Sequence, residues 1–188
     1  MTVVYIIIVL VILVLLYLFA TYNGLIASRN RTDEAFSDID VQMKRRYDLI
    51  PNLVESVKGY VKQEKGVLEE VTKARANAIA AGGKGIAAQG EAENALSGAL
   101  RSVFAVAENY PDLKSSANFQ QLSTELTDTE NKLEAARRFY NANVRDFDTK
   151  LQVLPTSIFA GMLGFTKKDL FALGDADAAA KEPVKVSF

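Results

Sequence analysis

The chain contains no cysteine and no histidine among its 188 residues. These absences exclude a thiol nucleophile, an imidazole general base, a disulfide and the thiolate or imidazole ligands of a usual zinc site. A di-iron site in a helical bundle is also disfavoured, because it draws on paired Glu-x-x-His motifs. We therefore predict a protein without cofactor or metal that is not an enzyme, with only carboxylate, lysine or tyrosine chemistry left open.

The chain also has almost no net charge and few prolines. The 22 basic side chains nearly balance 23 acidic ones, and only four prolines interrupt the chain. Because nucleic-acid binding depends on a basic face, we expect no nucleic-acid partner. The abundance of alanine, leucine, glutamate and lysine favours long helices over a sheet.

One long hydrophobic run is present, at residues 3–20, and it carries no charge, proline or glycine. Its length suits a helix that crosses a bilayer core of about 30 Å. A cleaved signal peptide is the alternative reading, but nothing basic precedes Val3 and no small-residue cleavage site follows the run. We therefore expect residues 1–23 to form a retained single-pass anchor in contact with the lipid bilayer.

The basic residues nearest the run predict its orientation. They all follow it, at Arg29, Arg31, Lys44, Arg45 and Arg46. Because cytoplasmic flanks carry the excess of lysine and arginine, we expect the N-terminus outside and the following domain in the cytoplasm, at the inner (cytoplasmic) membrane.

A first heptad pattern of the coiled-coil kind extends over residues 33–80. Apolar side chains recur at steps of three and four, with only the Glu64 position polar. The phase passes Pro51 without a slip, which favours one helix kinked at that proline. A hairpin at residues 48–51 is the alternative. The apolar positions are Met43, Tyr47, Ile50, Val54, Val57, Val61, Leu68 and Val71.

Two further helices follow the first pattern. A glycine-rich loop at residues 81–86 lacks the spacing of a phosphate-binding loop, and a shorter helix leads from it to Pro111. A second apolar seam then extends from Phe119 to Leu154 and stops at Pro155. The expected fold is all-α: an N-terminal transmembrane helix continuing into an elongated antiparallel bundle of three to four long helices at residues 24–173, followed by a flexible tail at 174–188.

A few polar side chains fall on these apolar seams. Thr129 and Asn143 occupy inward positions on the second seam, as Asp40 and Glu64 do on the first. Glu130 and Arg137 flank the core edge. Charged seam residues more often set register or partner choice than perform catalysis, so we expect a structural role for them.

Several sequence motifs resemble the LemA family. The longest is IDVQMKRRYDLIPNLV at residues 39–54, and further matches are YNGL at 22–25, ENYPDL at 108–113, TENKL at 129–133, Ala136-Arg137 and Tyr140-Asn141. Phe36 occupies a position where family members often have tryptophan, and we expect it to keep the packing role of that tryptophan. The resemblance implies a single-span membrane protein with an antiparallel helical bundle and no established enzyme activity. It also implies a link to membrane protein homeostasis, with an HtpX-like metalloprotease as a possible partner.

Three functions remain open on this basis. The first is an interaction or scaffold protein that associates with itself or with another membrane protein. A kinked helix carrying charge and an aromatic residue makes a plausible docking surface. Its candidate residues are Arg45, Arg46, Tyr47, Asp48, Pro51 and Asn52, with Asp40, Glu130, Arg137, Tyr140, Asn141 and Asn143 as polar structural sites.

The second possible function is membrane remodelling or envelope-stress sensing through an amphipathic C-terminal segment. The same apolar residues would otherwise cap the bundle core. They are Ile158, Phe159, Met162, Leu163, Phe165, Leu170 and Phe171, beside Lys167 and Lys168. The third, an enzyme using carboxylates or tyrosine, is least favoured because no loop places paired acids together.

Overall fold

The computed structural model describes residues 1–61 and 64–171, and every regular element within them is helical. The predicted all-α fold is thereby confirmed. The predicted tail at residues 174–188 lies outside the described residues. The helices are α1 (Thr2–Lys58), α2 (Lys65–Ala81), α3 (Ile86–Ala107), α4 (Pro111–Lys114), α5 (Ala117–Gln152) and α6 (Thr156–Ala160).

The chain divides into two units. The first comprises residues 1–36 and 139–168, and the second comprises residues 37–138 together with the described residues from 169 onward. Among the described residues, α1 is the one helix long and apolar enough to cross a membrane. Its most apolar segment is not buried within the structure. Burial on α1 begins at Leu25, one turn after the hydrophobic run ends.

The first unit has a small core of its own. Phe147 and Leu151 of α5 pack with Leu25 of α1 and with two residues near α6, Ala160 and Phe165. Phe36 meets Tyr140 edge to face, with ring centroids 5.8 Å apart. The packing role expected for Phe36 is therefore present.

The first heptad pattern is divided between two helices, α1 ending at Lys58 and α2 beginning at Lys65. Helix α1 runs through Pro51 without interruption, so the hairpin considered at residues 48–51 does not form. The single helix predicted over residues 33–80 is also wrong, because the chain leaves α1 after Lys58 and re-enters a helix at Lys65. The apolar phase continues across this break because residues on both helices, such as Val57 and Leu68, face the same core.

Helices α1, α2, α3 and α5 form a bundle of antiparallel neighbours in the second unit. Arg75 of α2 bonds to Tyr47 of α1, and Gln89 of α3 bonds back to Ala78 of α2. The turn between α2 and α3 holds glycines with positive φ, which confirms the predicted loop. The main core is Ile50, Leu53, Val57, Val61, Leu68, Val71, Ala74, Ala78, Leu96, Ala99, Leu100, Val103, Ala107, Leu113, Phe119 and Leu126.

Pro51 has a consequence for the hydrogen bonds of α1. A proline carries no N–H, so the carbonyl four residues earlier, that of Tyr47, loses its intrahelical donor. Arg75 Nε of α2 donates to this carbonyl at 2.7 Å. A side chain of the neighbouring helix thus satisfies the carbonyl that the proline left unpaired. The same hydrogen bond joins α2 to α1.

This arrangement is testable with a double-mutant cycle. Arg75→Ala in the otherwise unchanged chain should lower the free energy of unfolding by about 1 kcal/mol, because the Tyr47 carbonyl loses its donor. In a Pro51→Ala background the new N–H at position 51 donates to the Tyr47 carbonyl. Arg75→Ala should therefore lower stability less in that background. Urea unfolding of the four proteins in detergent gives the coupling. Equal losses in both backgrounds would contradict this account.

Candidate functional site

A buried charge network joins three helices of the second unit. The side chains of Arg46 of α1 and Glu93 of α3 are 0% exposed and form an ion pair. Arg46 also pairs with Glu130 of α5 and donates to Ser97 Oγ at 2.8 Å, and Ser97 donates to Glu130 Oε1 at 2.7 Å. Two carboxylates and a hydroxyl therefore surround the guanidinium.

Tyr47 of α1 adds a further hydrogen bond to the network, and Gln89 of α3 extends it to the fourth helix, α2. The Tyr47 hydroxyl donates to the Glu93 carboxylate. Gln89 Nε2 donates to Glu93 Oε1 at 3.0 Å and to the Ala78 carbonyl of α2 at 3.2 Å. Burial raises the pKa of Tyr47 above its ordinary value, and the hydrogen bond to Glu93 and that carboxylate's charge add to the effect. The tyrosine consequently acts as a neutral donor.

A second buried guanidinium, that of Arg137 on α5, lies close to the first. Arg137 is 3% exposed, and its Nη1 lies 3.4 Å from Asn94 Oδ1. Its Cζ sits 5.0 Å from the ring centre of Phe171, a cation–π geometry. Burial and the charge of Arg46 lower the pKa of Arg137, while Glu130 and Glu93 act in the opposite direction. The positive charges of two arginines, Arg46 and Arg137, are therefore matched within the bundle by the negative charges of two glutamates, Glu93 and Glu130.

The inward positions expected for Asp40 and Glu64 were wrong, and neither acid is among the partners of Arg137. Asp40 has a side chain that is 45% exposed and pairs with Lys44 on its own helix, and Glu64 is exposed. Asn143 is half-buried and donates to the Phe139 carbonyl at 2.9 Å, within α5. Of the four inward polar positions, Thr129 alone is fully buried.

The residues proposed for docking fall into two groups. Arg46 is completely buried, so it cannot be part of a docking surface, and this part of the expectation was wrong. Arg45, Asp48, Pro51 and Asn52 are exposed and Tyr47 is half-buried. In the first unit, Tyr140 and Asn141 are buried at 1% and 3% exposure. The motif at residues 39–54 thus supplies an interior face and a surface face to one helix.

The surface face borders a depression between α1 and α2. Asp40, Tyr47 and Asp48 line a cleft of about 420 Å³ whose other wall includes Arg75 and Ile79. Further along the same two helices lies a groove of about 690 Å³. We call this second depression the α1–α2 groove, and its lining residues are Val54, Lys58, Val61, Lys65, Leu68, Glu69, Thr72, Lys73 and Ala76.

Sequence reasoning missed Glu93, Gln89 and Ser97, which complete the network. A signal was available in the spacing of α3. Counting back from the buried Leu100 and Leu96 by steps of four and three leads to positions 93 and 89, so a glutamate and a glutamine occupy core positions. Arg46 was named as a docking residue, and its burial was missed because the heptad pattern includes its neighbour Tyr47 instead.

The chemistry of this arrangement is structural. No group of three or more acidic side chains placed to hold a metal occurs in residues 1–61 and 64–171. Glu93 and Glu130 each pair with the Arg46 guanidinium and each accept a hydrogen bond from a hydroxyl, that of Tyr47 and that of Ser97 respectively. A buried ion cluster of this kind sets the register of the helices that contribute to it.

Known proteins resemble this chain over most of its length. The LemA family model matches residues 35–188. Protein LemA of Metamycoplasma hominis is 29% identical over 87% of this chain and 72% of its own length. Magnetosome protein MamQ of Magnetospirillum gryphiswaldense is 22% identical, and MamQ 2 of Paramagnetospirillum magneticum 23%, each over 82% of this chain. The chain spans 65% of the length of these MamQ proteins.

The two adjacent arginines of α1 provide a matched test of the network. Arg46→Ala should lower the free energy of unfolding by about 3 to 5 kcal/mol, because Glu93 is left buried without its partner. Arg45→Ala removes an exposed side chain and should change stability by about 0.5 kcal/mol or less. Denaturant unfolding in detergent, followed by helical circular dichroism, measures both. Similar midpoints for the two variants would contradict a buried network.

Alkaline pH tests the Tyr47 contact. In the unfolded chain this phenol ionises near its ordinary pKa of 10.0, whereas the folded protein holds the proton to higher pH. Above about pH 10 the folded state therefore binds more protons than the unfolded state, and stability falls as pH rises. The stability difference between the unchanged chain and Tyr47→Phe should accordingly shrink above that pH. The exposed Tyr60→Phe is the matched control, and a pH-independent Tyr47 difference would count against the contact.

Proposed function

Because the chain belongs to the LemA family, we propose that it is a membrane-anchored helical interaction protein that acts without catalysis of its own. The apolar part of α1 supports the anchor, since it is long enough to span a bilayer and is unburied within the structure. The bundle then serves as the binding part. The observation that carries the proposal is the α1–α2 groove.

The groove has the composition of a helix-binding surface. Val54, Val61, Leu68 and Ala76 provide an apolar floor, and charged side chains stand around it. A partner helix places side chains at i, i+3, i+4 and i+7 into such a groove and gains affinity from the apolar contact. The outer positions of α1 and α2 are thus suited to receive a further helix beside the hairpin.

The charged residues at the groove edge determine which kind of segment can bind there. Lys58, Lys65 and Lys73 line it together with one acid, Glu69. The edge therefore attracts a segment with an apolar face flanked by acidic residues, and it repels a basic one. Such a segment belongs to another membrane protein or to a second copy of this chain, and an HtpX-like metalloprotease is the candidate that the family resemblance supplies.

The absence of catalysis is supported by composition and by the carboxylates. No cysteine or histidine is available to act as nucleophile or base. The buried Glu93 and the half-buried Glu130 both pair with Arg46, so both carboxylates are engaged within the bundle. The cytoplasmic side of the inner membrane is the proposed location of the bundle, because the basic flank follows the apolar run.

Site-specific photocrosslinking in native membranes tests the groove. A photoreactive residue at Thr72, which lines the groove, should give discrete adducts. The same residue at Ser102, an exposed position on α3, should not. Reversing the groove charge with Lys58→Glu and Lys65→Glu should reduce the Thr72 adducts about tenfold or more, because like charges then meet.

The identity of the adducts decides the kind of partner. Adducts of twice the chain's mass indicate a homo-oligomeric scaffold, and adducts containing a second membrane protein identify a hetero-partner. Equal crosslinking at Thr72 and Ser102, unaffected by charge reversal, would remove the groove as the binding surface.

A further inference from the structure

The segment after α5 exposes large apolar side chains without any charge among them. No charged residue lies between Lys150 and Lys167. Within this stretch, Met162 is 85% exposed and Ile158 is 60% exposed. Several large exposed apolar side chains within one short segment are typical of an interaction site. The exposed apolar residues are Val153, Leu154, Ile158, Met162 and Leu163.

The opposite side of the same segment is packed against α1. Phe165 meets Tyr22 edge to face with ring centroids 5.8 Å apart, and Arg29 Cζ lies 5.8 Å from the centre of the same ring. Ala160 and Phe165 share a core with Leu25. All of these residues belong to the first unit, so the segment is fixed beside the first turns of α1 that follow the hydrophobic run.

The position of these contacts along α1 indicates how far they lie from the hydrocarbon core of the membrane. At 1.5 Å per residue, Tyr22 lies about 3 Å beyond the end of the run at Ala20. Tyrosine at such a position belongs to the boundary between hydrocarbon and headgroups. The apolar segment that packs on Tyr22 and Leu25 is therefore held at that boundary.

The charges that flank the segment lie further from the run. Lys150 donates to Ser28 Oγ at 3.1 Å, and Lys168 pairs with Asp33. Asp33 is eleven residues beyond Tyr22, or about 16 Å along α1. Apolar side chains thus lie at the level where the span leaves the membrane, while the nearest paired charges lie on the water side of it.

We propose that residues 153–163 form a second membrane contact, in which their exposed side chains insert into the headgroup and acyl boundary beside the transmembrane part of α1. The occupant of this apolar surface is lipid, because the segment packs on α1 directly after the apolar run, at the level where the span leaves the membrane. Only part of the C-terminal apolar set takes part, since Phe165 and Phe171 are buried. This contact does not depend on what occupies the α1–α2 groove.

Depth measurement on the full chain in vesicles tests the proposal. The protein has no native cysteine, so Met162→Cys and Ile158→Cys each give a single labelling site, and both side chains are exposed enough to be replaced without loss of core contacts. Phe139→Cys is the control. Phe139 is an apolar side chain of the same unit and is 58% exposed, but it lies thirteen residues before the end of α5, about 20 Å away along the helix.

Each variant is labelled with a polarity-sensitive fluorophore and reconstituted in vesicles of phosphatidylethanolamine and phosphatidylglycerol. Labels at 162 and 158 should show blue-shifted emission, strong quenching by lipids brominated on the acyl chain, and at least threefold less quenching by iodide than the label at 139. Helical circular dichroism verifies that the variants are folded.

Two outcomes would overturn the proposal. In the first, the label at 162 is quenched by iodide as readily as the label at 139 and brominated lipid has no effect, which shows a surface in water. In the second, the label is shielded from iodide and from lipid alike, and its self-quenching falls when unlabelled chain is added. That result shows a second copy of the chain covering the surface in place of lipid.

Discussion

The charge of the Arg46 guanidinium, removed completely from water, is the constraint on which the second unit depends. An unpaired ion in the interior costs several kcal/mol, and the pairing groups come from different helices, Glu93 on α3 and Glu130 on α5. A slip of one helix by a single turn moves its side chains by about 5.4 Å, which is enough to break these contacts. The apolar core supplies attraction among the helices, and the ion network selects one register among those that the core allows.

The same constraint determines how the polar groups of the bundle interior are engaged. Its acids face guanidinium groups, its hydroxyls donate to those acids, and the Tyr47 phenol is held neutral by burial and by Glu93. Interaction surfaces are then left to the outside of the molecule, where the α1–α2 groove and the apolar residues around α6 lie in different units and offer different chemistry.

Much of the fold was predictable because helical periodicity and chain-breaking residues are local signals. The apolar run, the glycine-rich turn before α3 and the seam of α5 were all recognised. The end of α1 at Lys58 was not, although Gly59 and the polar Glu64 indicated it, because the apolar phase continues from α1 into α2. Pro51 drew attention as a breaker, yet Arg75 of α2 supplies the hydrogen bond that the proline removes. That compensation comes from another helix and leaves no trace in the local sequence.

By itself the sequence determined the helical class, the single apolar span and the lack of cysteine and histidine chemistry, since each depends on residue type and on spacing along one helix. Only the tertiary structure decided which of the two adjacent arginines enters the core and which stays in water. Periodicity specifies a face to within about one residue, whereas burial of a charge depends on whether a carboxylate from a distant part of the chain arrives to pair with it. Glu93 arrives at Arg46 from 47 positions away, whereas Arg45 stays exposed and no carboxylate within residues 1–61 and 64–171 forms an ion pair with it.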